Sequence, residues 1–214
     1  MYYSKKILLI VSVLISFNNS FYAQKRVTDI SDTTYLSDFI HLTVDEEFLS
    51  PAKLAFEHYP ELDSVTIIFK YKAMPWMMAA RPSPGFIFRS KENRTYFILV
   101  NTNKKMNADT LFSIMPYKAK VGIIGHEMAH ILDYEEMSRM ALFFFGIKYI
   151  ICTKKVEKET DLTTIMHGLG EDLIAYNNFI QQNTLVSEKY LRKRARNYMS
   201  MENLRKNNRK LKNK

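Results

Sequence analysis

The sequence predicts an α+β protein, with a small antiparallel sheet followed by a mainly helical C-terminal half. Three observations predict it. Residues 64–72 (SVTIIFKYK) are rich in β-branched and aromatic side chains, and the runs GFIFR and RTYFILVN flank a polar turn as a hairpin would. From Pro116 onward the apolar residues recur at helical spacing. Strands first and helices afterwards make an α+β order rather than an alternating one. A chain of 214 residues with 47% apolar and 25% charged residues has room for one domain with a real core, and hardly for two.

The first 23 residues are expected to stand outside that domain. Lys5 and Lys6 form a positive start, Ile7 to Phe17 an apolar run broken only by Ser12 and Ser16, and Asn18 to Ala23 a polar exit. This is the plan of a secretory signal peptide cut after Ala23. The apolar run is too short for the ~20 residues that a spanning helix needs. Export to the periplasm or the cell exterior is the expectation. Cys152 is the single cysteine, so no internal disulfide is available there.

Residues 24–49 carry an acidic cluster, Asp45 to Glu47, and support no clear assignment. Ser50-Pro51 reads as the start of a short helix running to about Tyr59. Ser64 to Lys72 is the first strand. Residues 73–85 hold three of the six prolines and read as a loop. Gly85 to Arg89 and Arg94 to Asn101 then form the hairpin, and residues 102–115 stay unassigned. A helix is predicted from Pro116 to about Tyr134, and the apolar stretch from Met140 to Cys152 reads as a buried helix. Helices follow over Val156 to Met166, Gly170 to Gln181 and Ser187 to about Leu204, with residues 205–214 as a basic, frayed tail. The domain is thus expected over 24–204.

Within the helix after Pro116 lies GHEMAH, residues 125–130. His126 and His130, four apart, project from one helix face and can bind one cation, for which Zn²⁺ suits imidazole nitrogen. Glu127 sits where its carboxylate reaches a water held by such a metal, whose pKa falls to about 7, and can take its proton. Two rings and an acid on one apolar helix are costly unless a metal satisfies them. A catalytic zinc usually has three protein ligands. Glu157 lies 27 residues after His130, and Asp161 follows it by four. On a helix these share a face, so Glu157 can bind the metal while Asp161 accepts the N–H of a ligating histidine.

At HEMAH and EKETD the chain resembles the gluzincin metallopeptidases, and most nearly the branch of HtpX-like and CAAX prenyl endopeptidases. The resemblance covers residues 121–170. It implies a zincin-like fold and one Zn²⁺ per chain, held by His126, His130 and Glu157. It further implies Glu127 as general base and Asp161 behind a ligand. That branch carries membrane-spanning helices, for which this chain has no segment, and an alanine where Thr160 stands. Glu159 is an alternative third ligand.

The strand Thr95 to Asn101 is a candidate edge for pairing with a substrate backbone. His167, Tyr176 and Tyr190 are candidate donors to a transition-state oxyanion. Eleven Lys/Arg against Glu188 and Glu202 give residues 187–214 the whole net charge of +9. That tail reads as a solvated helix end or as a peripheral contact with anionic membrane, and no stacking motif points to nucleic acid. The functional expectation is an exported zinc metallopeptidase acting on peptide or protein substrates. The alternatives are a non-catalytic envelope scaffold and a zinc hydrolase of another substrate.

Overall fold

The computed structural model describes residues 42–213; the expected signal peptide and His41 lie outside the described residues. The architecture is α+β, and its sheet is mixed. Strand β1 (Leu42–Thr43) runs parallel to β2 (Thr66–Lys72), β2 parallel to β4 (Thr95–Asn101), and β3 (Met78–Pro82) antiparallel to β4, in the order β1-β2-β4-β3. The expectation of an antiparallel sheet thus holds for one pair only.

The hairpin forms between other partners than the sequence suggested. Gly85 adopts a left-handed conformation (φ 82°), and the chain after it turns over Phe86–Phe88 as a 3₁₀ helix. Phe88 N–H donates to the Gly85 carbonyl at 2.9 Å, so GFIFR is a turn and not a strand. Its place beside β4 is taken by Met78–Pro82, inside the proline-rich stretch read as a loop. Pro82 is tolerated because β3 is an edge strand and needs one hydrogen-bonded side only. β4, proposed above as the edge, is interior.

Residues Tyr96, Ile98 and Val100 of β4 are buried against the helices, with Tyr96 stacked on Tyr134 at 6.2 Å. On the other face a smaller cluster joins Phe97, Leu99 and Met74 to Ile68, Trp76 and Ala79, and Lys70 Nζ caps the Phe97 ring at 3.9 Å.

Helix α1 spans Glu46–Glu57. It starts four residues before Ser50, because Asp45, Glu46 and Glu47 place negative charge at its N-terminus. Pro51 falls inside it. Phe48 of α1 packs on Phe69 and Phe112 at 6.3 and 5.5 Å, binding the helix to the sheet and to α2 (Ala108–Ile114).

The core of the helical half is α3, Tyr117–Glu136, buried over nearly all of Val121 to Ile131. A helix apolar on most sides must be covered on most sides. α1, β3, α4 (Arg139–Thr164) and α5 (Gly170–Gln182) all pack on it. Close approach of α5 depends on two small positions: a Cβ at Gly122 would lie 2.1 Å from the Asp172 carbonyl oxygen, and one at Gly125 2.4 Å from Leu169. A π turn, Ile165–Leu169, with Gly168 at φ 84° joins α4 to α5.

Three helical expectations need correction. Residues 140–152 are helical but not buried as a whole. They are the first half of α4, interrupted at Cys152, and Met140, Phe144 and Ile151 are exposed while Leu142 is buried. Residues 187–204 form two helices, α6 (Glu188–Asn197) and α7 (Met201–Lys212), divided at Tyr198 to Ser200. The tail is not frayed over 205–212: α7 buries Leu204 completely, and Asn208 and Lys212 both donate to Glu171 Oε1, at 2.7 and 2.8 Å. Among the described residues no helix is long and apolar enough to cross a membrane.

Candidate metal centre

α3 presents His126 and His130 one turn apart, with ring centroids 5.0 Å from each other. α4 brings Glu157 against both: its Oε2 lies 3.2 Å from His126 Nε2 and 3.6 Å from His130 Nε2. All three side chains are buried, and one ligand atom from each falls within 4.8 Å of the others. Donors held ~2.0–2.1 Å from a tetrahedral ion are separated by roughly 3.3–3.4 Å, the edge of the tetrahedron. The two observed separations bracket that value.

The far side of each ring faces an oxygen. His126 Nδ1 stands 3.0 Å from Asp161 Oδ1, although the two are bent out of good hydrogen-bond alignment. His130 Nδ1–H donates to Thr160 Oγ1 at 3.2 Å, since the Thr160 proton is committed to the Val156 carbonyl at 3.0 Å. Both Nδ1 atoms thus face oxygen, which turns each Nε2 toward Glu157, the arrangement in which the rings could ligate a metal through Nε2. Thr160, a departure from the pattern the sequence resembled, does the work of a positioning group.

Charge in the site follows from the same contacts. Burial opposes protonation of His126, but Asp161 and Glu157 outweigh it and hold its pKa at about 10. Burial alone would raise the Glu157 carboxyl; hydrogen bonds from the two imidazoles outweigh it and keep the group well below the usual carboxylate range. Two carboxylates around two imidazoles make a negative, buried nest that favours a cation.

Glu127 is buried beside the cluster, and Ala80 N–H of β3 donates to its Oε2 at 2.6 Å. Burial raises its pKa. Tyr134 stacks on His130 at 6.1 Å and its hydroxyl reaches the Ala80 carbonyl at 3.4 Å, so the same strand residue is held from both sides. A small recess beside His126 and Glu127 is lined by Trp76, Tyr176, Tyr190, Arg194 and Tyr198. Arg194 is buried there, donating to Tyr176 Oη and Asn177 Oδ1 at 3.3 and 2.9 Å.

Two residues singled out in the sequence lie elsewhere. Glu159 is exposed and pairs with Lys155 at 3.7 Å, so the structure does not bring it to the cluster. His167 is not at the cluster either, for it stacks on Tyr59 at 4.4 Å and bonds Thr163 O and Glu61. The other two candidate donors, Tyr176 and Tyr190, line the recess, and at the cluster itself the Tyr149 hydroxyl donates to Glu157 Oε1. Helical spacing gave no signal for Tyr149, because the break at Cys152 lies between it and Glu157. Tyr198, 5.7 Å from the His126 ring, left no such signal because it sits in the break between α6 and α7. No protein family, no curated protein sequence and no solved structure matches this chain.

Proposed function

We propose that the chain is an exported, gluzincin-type zinc metallopeptidase that hydrolyses peptide bonds, with Glu127 as general base. One observation carries the reading. His126, His130 and Glu157 converge from two helices with one ligand atom from each within 4.8 Å of the others, and a buried carboxylate, Glu127, lies beside them. His, His and Glu make the nitrogen–oxygen donor set that zinc accepts in hydrolytic sites, and Asp161 and Thr160 orient the two rings.

Bound there, zinc would supply a Lewis acid that polarises a carbonyl and lowers the pKa of water. The chain's own groups do the rest. Glu127, with its pKa raised by burial, is a stronger base than a solvated carboxylate. Ala80 N–H orients its Oε2. β3 is the edge strand beside Glu127, and an extended peptide backbone pairing along it would take the Ala80 N–H and carbonyl from the Glu127 and Tyr134 side chains. Tyr149 supplies a hydroxyl donor at the cluster.

The test is zinc content per chain by mass spectrometry together with cleavage of a denatured protein substrate. About one zinc per chain is expected, with proteolysis that Glu127→Gln abolishes while keeping the metal. A folded wild-type chain that takes up no zinc would overturn the reading.

A further inference from the structure

The first half of α4 is built the wrong way round for a helix covered only by water. At 100° per residue, Met140, Phe144 and Ile151 fall within roughly 40° of one another. They are exposed by 59%, 57% and 73%. Leu142, Phe145 and Tyr149 lie on the opposite side, where Phe145 packs on Tyr134 at 5.7 Å and Tyr149 reaches Glu157. One face therefore forms a wall of the metal centre, and the other is an apolar stripe with nothing upon it among the described residues. The turn Phe86–Phe88 packs on the same helix and adds Phe88, 87% exposed.

Charge decides what such a surface fits. Between Met137 and Val156 the sequence holds no Asp or Glu, whereas Arg139, Lys148 and Lys154 are exposed, as is Lys155, which pairs with Glu159 at 3.7 Å. Arg89 and Lys91 follow Phe88, with Glu92 as the acid beyond them. An exposed stripe flanked by one sign of charge suits a phase that is apolar within and anionic at its surface. The stripe lies along one side of a single helix. Separate aromatic and aliphatic side chains can each insert among acyl chains, while lysine stems reach back to the headgroups.

We propose that the Met140–Ile151 face of α4, with Phe88, docks the protein onto an anionic lipid surface. The site would then open beside the membrane rather than in bulk solvent. The proposal is independent of the peptidase reading, since it uses no residue of the metal centre.

The test is co-sedimentation of the full chain with vesicles of phosphatidylcholine alone and of phosphatidylcholine with phosphatidylglycerol. The variants are Phe88→Ser/Phe144→Ser/Ile151→Ser and, separately, Lys148→Glu/Lys154→Glu/Lys155→Glu. Residues 7–17 are common to all, so differences report on this face, and circular dichroism confirms that the exposed substitutions leave the fold intact. Wild type is expected to partition onto anionic vesicles at least about tenfold better than either variant, and less as salt rises. Equal partition of wild type and the serine variant, or equal binding to both vesicle types, would overturn the proposal. So would a wild-type dimer that the serine variant dissolves without changing partition, because the occupant would then be a second copy.

Discussion

The Met199 backbone N–H donates to Asp161 Oδ2 at 2.8 Å, while Asp161 Oδ1 faces His126. The break between α6 and α7 therefore holds the carboxylate that stands behind the His126 ring. Asp161→Asn keeps the size of the side chain and removes the charge. Zinc affinity is expected to fall about ten- to a hundredfold, measured by competition with a chromogenic chelator. Thr160→Ala removes the acceptor for His130 Nδ1–H and should cost a factor at the lower end of that range.

Substitution of Glu157 and of Glu159 tests which carboxylate would hold the metal. Glu157→Ala should weaken zinc by more than about a hundredfold, beyond what loss of an orienting group costs. Glu159→Ala should leave it unchanged, since Glu159 is exposed on the other side of α4. The reverse result in mass-spectrometric zinc content would place the metal elsewhere.

Tyr149→Phe removes the hydroxyl at the cluster without changing the ring. Peptide turnover should drop about a hundredfold with zinc retained, the size of effect seen when one oxyanion donor is lost. A variant that loses zinc instead would make Tyr149 a support for Glu157 rather than a donor to the substrate.

Gly122→Ala places a methyl group against backbone, 2.1 Å from the Asp172 carbonyl oxygen. Neither helix can yield as a flexible side chain would, so α3 and α5 must part. We expect a loss of about 3 kcal/mol in urea denaturation.

Glu171 reports on the docking of α7. Lys212 holds its carboxyl below the ordinary value of 4.5, helped by Asn208. A group whose folded pKa is depressed contributes stability above its unfolded pKa and loses it as pH falls through the folded one. Glu171→Gln should therefore destabilise slightly at neutral pH, by less than about 1 kcal/mol for so exposed a pair. The difference should vanish as pH falls below 4.5. A pH-independent difference would mean that the ion pair is not its source.

Local chemistry determined much of this protein by sequence alone. The i, i+4 spacing of His126 and His130, and of Glu157 and Asp161, sets which side chains share a helix face before any packing occurs. β2, β4, α3 and α5 were legible because their hydrophobic periodicity and their burial agree. Other features needed the folded chain. β3 became a strand because β4 offered it an edge, which its prolines and its mixed composition did not announce. The turn at Gly85 removed GFIFR from the sheet through one backbone angle. Which carboxylate of EKETD meets the histidines was decided by the rotation of α4 against α3: Glu157 and Glu159 lie two positions apart, about 200° around the helix. Thr160, Tyr149 and Tyr198 joined the site for the same reason, since their roles depend on what stands opposite them across an interface. Sequence spacing orders residues along one element, whereas a metal centre is a set of atoms from several elements meeting at a point.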